Sequence, residues 1–204
     1  MELFLKILGV AASGYLLGSI PSSFIMAKIL RGIDLRDHGS GNLGAANTFR
    51  ILGAKAAVPV LIIDIGKGFL AVKLVSMAGI DNFAFVALAA LMAILGHNYS
   101  VFVKFSGGKG VGTTTGAFLA IVPVAVVICL LIWLVLLLTT RIVSLASITA
   151  SIALPLAVLL SRYYMGRDID ILAVALSVIV AVVVVYKHRS NIQRLRNGTE
   201  KRIF

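Results

Sequence analysis

Two cations sit beside glycine-rich turns. Residues 39–50 read GSGNLGAANTFR and end on Arg50, and residues 105–116 read FSGGKGVGTTTG with Lys109 between Gly108 and Gly110. Arginine presents a planar fork that meets phosphate in bidentate fashion, whereas lysine brings a mobile point charge. Glycines such as Gly107, Gly108 and Gly110 let backbone N–H groups turn toward an anion. A helix starting near Val111 would add its positive end. The chemistry indicated is phosphate binding, not nucleotide binding. GSGNLG fits GxGxxG, but that fingerprint requires a preceding strand in a βαβ unit, and the charged DLRDH precedes it here. FSGGKG fails as a Walker A loop, because Val103 holds the first-glycine position and Gly110 follows Lys109. On residue types alone a second reading stands beside each: a flexible glycine turn with Lys109 as a positive-inside charge, and an Arg50 snorkelling to headgroups.

Other polar residues could complete such a site. Ser40, Asn42 and Asn47 offer short neutral hydrogen bonds, and a helix starting near Leu43 would place Asn47 and Arg50 on one face. In the tail His188 and Asn191 are also three apart, so helix would aim them together. His188 then reads as a proton acceptor positioned by Asn191, or as an interfacial residue beside Lys187 and Arg189. Ser144 and Ser147 are supporting hydroxyls or helix-packing residues. In DIGKG, Asp64 and Lys67 are spaced to pair within one helical turn, and such pairing can by itself account for their charge in an apolar segment. Lys73, His97 and Lys104 read as headgroup-level anchors, with His97 next to the anion loop. Cys129, in ICLLIW, reads as a buried packing residue. The eight acidic residues form no cluster of hard oxygen ligands, so neither a metal nor another cofactor is expected.

The elements that must carry these residues are set by hydropathy. With 60% hydrophobic and 13% charged residues in 204, and a mean hydropathy of +1.05, the chain has more apolar surface than one soluble core could hide. Long apolar runs without strict alternation predict membrane-spanning helices rather than barrel strands. The runs are 3–30, 53–78, 82–97, 145–161 and 170–186, with a longer one over 111–140. The first is too long for a signal sequence and reads as a retained span. The basic tail, residues 187–202, belongs in the cytoplasm by the positive-inside rule, as do the loops 31–52 and 97–110. One crossing by 111–140 would put the tail outside, and two crossings, broken near Val122 and Pro123, return it. The expectation is an all-α polytopic bundle of seven spans, amino terminus out and carboxyl terminus in, with Arg141 cytoplasmic and RYYMGRD outside. Residues 1–204 form a single domain, and a monomer is expected. The net charge of +11 on the cytoplasmic side would attract phosphate-bearing substrates, and no nucleic-acid partner is indicated.

GSGNLGAANTFR, KFSGGKGVGTT and HRSNIQRLRNGTE, in that order between apolar runs, resemble the signature segments of the bacterial acyl-phosphate-dependent glycerol-3-phosphate acyltransferase family. The likeness extends through DIGKG, GHNY and SLASITA and so covers nearly the whole chain. Gly112 and Thr113 depart mildly from an Ala-Thr often found there. The resemblance implies a seven-helix inner-membrane enzyme of phospholipid biosynthesis whose active site faces the cytoplasm. Its reaction would move a fatty acyl group from acyl phosphate to the 1-hydroxyl of glycerol 3-phosphate, releasing lysophosphatidic acid and phosphate. It carries over Ser40, Asn42, Arg50, Lys109, His188 and Asn191 as site residues, while Ser147 and Asn47 are supporting candidates on residue type alone. The residues agree in kind: there is no Ser-His-acid triad, and none of His38, His97 or His188 has an Asp five positions on, which argues against the HxxxxD acyltransferases. An activated anhydride needs positioning and charge stabilisation more than a covalent intermediate. A small-anion transporter would also use broken helices and basic residues, but no internal repeat is visible. A structural protein would leave the three polar loops without a role.

Overall fold

The computed structural model describes residues 1–164 and 169–203. Most of the RYYMGRD link therefore lies outside the described residues. Among those described, regular structure is helical throughout, with one isolated bridge between Ser100 and Ser106. The chain divides into two compact units, Met1–Ala117 and Phe118–Phe204.

The first unit begins with α1 (Glu2–Ser19) and α2 (Ser22–Arg31). The expected single span 3–30 is thus broken in the middle. Ile20 precedes Pro21, whose ring disfavours helical backbone in the residue before it, and Ile20 adopts φ −54, ψ 114. Then come α3 (Ala45–Leu52), α4 (Ala54–Met77), α5 (Phe83–Asn98) and α6 (Val111–Ile121). α3 starts two residues after the expected Leu43, because Gly44 is its extended N-cap.

Small residues let these helices touch backbone to backbone. Gly14 and Gly18 of α1 lie on Ala89 and Ala93 of α5, and Gly96 of α5 lies on the Tyr15 carbonyl. A Cβ at Gly18 or Gly96 would overlap those carbonyls. Gly68 of α4 meets the Thr113 carbonyl of α6, and Gly116 of α6 meets the Ile65 carbonyl. The turn from α2 to α3 is anchored by a buried cluster of Ala27, Leu35, Leu43 and Val103.

In the second unit α7 (Pro123–Thr140) packs on α8 (Val143–Tyr164), which packs on α9 (Ile171–Lys187). The apolar run 111–140 is broken where expected: α6 ends at Ile121, Val122 turns out of helix, and Pro123 opens α7. Arg141, left-handed at φ 60, closes α7. α10 (Arg189–Arg196) bends away from α9 by 60° at His188. Cys129 is half-buried rather than buried, since α7 turns Leu130, Leu131, Leu134, Val135 and Leu138 outward, an apolar surface suited to lipid. Among the described residues, three segments, Glu2–Arg31, Pro123–Thr140 and Val143–Tyr164, are long and apolar enough to cross a membrane, and α9 with α10 qualifies as a bent pair. α6, with 11 residues, rises only ~16 Å.

Candidate active site

The GSGNLG turn is built around Asn47. Its Nδ2 donates to the His38 carbonyl at 3.0 Å and the Leu35 carbonyl at 3.4 Å, and its Oδ1 accepts from the Ser40 N–H at 2.9 Å. Gly39 and Gly41 are left-handed, at φ +65 and +69, and the Asn47 amide fills the space a Cβ on Gly39 would need. Just upstream, Asp34 accepts from the backbone and side chain of Arg36, whose Nη1 donates to the Val103 carbonyl at 3.1 Å. The Arg36 hydrogen bond pulls the Asp34 carboxyl down to about 2. Ser40 is exposed, Asn47 is buried and Arg50 is half-buried. The Arg50 Nε is shut off from solvent and has no hydrogen-bond partner among the described residues. A buried donor left unmade is costly, so a guanidinium in this state suits an anion.

The two glycine loops are fastened together at one atom. The Gly107 carbonyl accepts from Asn42 Nδ2 at 3.2 Å and from the Leu43 N–H at 3.4 Å. Gly107 and Gly108 press on the end of α5, where the Gly108 N–H donates to the His97 carbonyl at 3.0 Å. Gly110 is left-handed at φ +82 and leads into α6, whose Thr114 N–H bonds the Gly110 carbonyl at 2.7 Å. Lys109 is half-buried between Gly108 and Gly110. The structure thus joins Asn42 to the second loop and Ser40 to Asn47.

In the second unit, His188 stands where α9 passes into α10. Its Nδ1 lies 2.8 Å from the Val184 carbonyl. A carbonyl only accepts, so Nδ1 carries the proton, and in a neutral ring the lone pair falls on Nε2. The Val184 carbonyl, one turn back on α9, thus holds one edge of the ring. Asn191, three residues on, donates to Glu200 Oε1 at 2.6 Å. Glu200 also accepts from Ser144 Oγ at 2.7 Å and from Arg194 Nε at 2.6 Å. Burial pushes its carboxyl up, but the donors Ser144, Asn191 and Arg194 outweigh that and hold it below its ordinary value. Ser147 accepts from the Trp133 indole at 3.2 Å.

Glu200 is one group that sequence reasoning passes over, because an acid in a basic tail reads as solvated. A second is the company kept by Asp64 and Lys67. They do pair, Nζ to Oδ1 at 2.9 Å, but Asp64 Oδ1 also accepts from Ser22 Oγ at 2.7 Å, and Lys67 Nζ donates to the Ile20 carbonyl at 3.0 Å. The polar tract Ser19, Ser22 and Ser23 inside an apolar run was the available signal. Among the described residues no group of three or more His, Cys, Asp or Glu is placed to hold a metal.

Helices joined through small residues, with an apolar exterior, define an all-helical membrane protein. The family profile for glycerol-3-phosphate acyltransferase matches residues 8–198. A glycerol-3-phosphate acyltransferase of Salinibacter ruber is 42% identical over 203 residues, covering 93% of this chain and 89% of that relative. One from Bacillus cereus is 46% identical over 186 residues, covering 91% and 89%. Among solved structures, PlsY (YgiH), an integral membrane glycerol 3-phosphate acyltransferase, is similar in its glycerol 3-phosphate form, with a TM-score of 0.87 at 38% identity over 96% of this chain and 94% of that one. Its lysophosphatidic acid form gives 0.83. The chain belongs to the glycerol-3-phosphate acyltransferase family.

Proposed function

We propose that this protein transfers a fatty acyl group from acyl phosphate to the 1-hydroxyl of glycerol 3-phosphate. The hydroxyl oxygen bonds to the acyl carbonyl carbon, the bond from that carbon to the phosphate oxygen breaks, and lysophosphatidic acid and inorganic phosphate leave. Arg50, Lys109 and the N–H groups of Gly107, Gly108 and Gly110 hold phosphate. Ser40 and Asn42 orient phosphate or the developing oxyanion, and Asn47 supports the turn that carries them. The hydroxyl proton goes to His188 Nε2, with Asn191 and Ser147 in support, or to a substrate phosphate. The observation that carries this reading is the shared Gly107 carbonyl, which ties both glycine loops into one frame in the same unit as the unpartnered Arg50 Nε.

The whole chain is read as one domain and a monomer, crossing a bacterial inner membrane seven times with its amino terminus out and its active site facing the cytoplasm. The basic tail supports that orientation. Purified protein given synthetic acyl phosphate and glycerol 3-phosphate should form lysophosphatidic acid and phosphate in equal amounts. Acyl-CoA and acyl carrier protein should not replace the donor, and comparable rates with a thioester would overturn the donor assignment.

A further inference from the structure

The proposed chemistry makes no use of the polar cluster inside the first unit. Asp64, Lys67 and His97 are 3%, 4% and 6% exposed, and Ser22 is buried with them. Burying ionisable groups here is expensive, and a buried ion pair is often no more stabilising than an apolar pair of the same volume. A purely structural role for the cluster is therefore a weak explanation.

Its geometry has two ends. One end is the broken first span, where Lys67 Nζ takes the Ile20 carbonyl and Ser22 Oγ donates to Asp64 Oδ1. The other end is His97. Its Nδ1 lies 3.5 Å from Asp64 Oδ1, and across the ring its Nε2 occupies the space into which a Cβ on Gly108 would project. The His97 carbonyl meanwhile accepts the Gly108 N–H. The imidazole is thus a rigid spacer between a carboxylate of α4 and the backbone of the second glycine loop.

We infer that Asp64 and His97 are positioning residues that set the backbone of residues 107–110 for phosphate, and that position 108 must be glycine because of the His97 ring rather than because of the substrate. This rests on the reading that the loop holds phosphate. The neighbouring glycine makes the inference specific. A Cβ on Gly107 would meet the carbonyls of His97 and Asn98, which shortening a side chain leaves in place.

The test is a set of variants in purified, reconstituted protein: Gly108→Ala and Gly107→Ala, each alone and with His97→Ala. Reaction rates are measured with glycerol 3-phosphate varied at saturating acyl phosphate and the reverse, so that the KM affected identifies which phosphate the loop holds. Gly108→Ala alone should raise that KM at least tenfold with kcat changed less than threefold. In the His97→Ala background it should add less than a threefold penalty, whereas Gly107→Ala should be damaging in both backgrounds. Equal penalties for Gly108→Ala in both backgrounds, or rescue of Gly107→Ala as well, would overturn the inference. Should His97→Ala fail to fold, Asp64→Asn, which retains an oxygen for Ser22, should raise the same KM, and Asp64→Glu should restore part of it. A wild-type KM in Asp64→Asn would also overturn it. Lys109→Ala separates the two readings: if neither KM moves in that variant, the phosphate role of the loop fails, while the coupling between positions 97 and 108 is still measured.

Discussion

Glu200→Gln removes one charge and leaves the shape. The wild-type side chain is 3% exposed and offers Oε1 to Ser144 and Asn191 and Oε2 to Arg194. Glutamine has one acceptor oxygen, so serving Ser144 and Asn191 turns its NH2 onto the Arg194 Nε–H. The two retained bonds fall from charge-assisted to neutral strength, about 1 kcal/mol each. The Arg194 side chain is 40% exposed and can turn to water, which limits its share to under ~1 kcal/mol. The total is about 2–3 kcal/mol, or roughly 4–12 °C in Tm for a chain of this size. Thermal unfolding in detergent reads it directly. The sign with pH follows from a carboxyl held below its ordinary value of 4.5. Its stabilisation is complete above the unfolded value and is lost as pH falls through the folded one. Wild-type protein should therefore lose Tm on acidification below about pH 4.5, a loss the variant lacks. A Glu200→Gln protein that melts within a degree of wild type at neutral pH, with the same acid dependence, would contradict the role given to this carboxylate.

Arg50→Lys should lower kcat/KM by about 5- to 150-fold, the equivalent of ~1–3 kcal/mol for a lost charge-assisted contact, and Lys109→Ala should be at least as damaging. Arg196→Ala, exposed at the end of α10, is the charge control, since Arg194 is committed to Glu200; full activity in well-inserted Arg50→Lys and Lys109→Ala would end the phosphate assignment. In a Cys129→Ser background, Arg141→Cys and Lys201→Cys should be labelled by impermeant maleimide only from the cytoplasmic side, and labelling of position 141 from outside would remove the seven-crossing topology. Gly116→Val should cost several degrees of Tm by driving α6 off the Ile65 carbonyl, whereas Gly66→Ala, with open space at its Cβ, should not.

What the sequence reveals follows the range of each interaction. The pairing of Asp64 with Lys67 depends on a spacing of three within one helix, and the break before Pro123 depends on proline chemistry and run length, so both are legible. The break at Ile20 is signalled by Pro21 in the same way, but what makes it tolerable is not local: Lys67 comes from 47 residues away, and Ser100, which caps the Ser19 carbonyl, from 81. Glu200 is hidden for the same reason, since its donor Ser144 lies 56 residues upstream. The loop residues are recognisable by type, yet their bonds are not. Asn42 reads as a ligand for phosphate, and in the structure its Nδ2 serves the Gly107 carbonyl. The spacing of Gly14 with Gly18, and of Gly112 with Gly116, is a packing signal that a search for chemistry overlooks.

The bond from Lys67 to the Ile20 carbonyl bears on how the chain is made. In the seven-crossing arrangement α4 enters the bilayer carrying Asp64, Lys67 and Lys73, and acidic or basic residues near the middle of a lone helix cost ~2.5–3.5 kcal/mol each at insertion. α4 is therefore a poor candidate for insertion by itself. Its partners are already synthesised when it emerges, because the Ile20 carbonyl and the Ser22 hydroxyl precede it in the chain. The interrupted first span acts as a receptacle for the charges of the helix that follows. A truncated chain that begins after residue 31 should then fail at the translocon, before any question of catalysis arises.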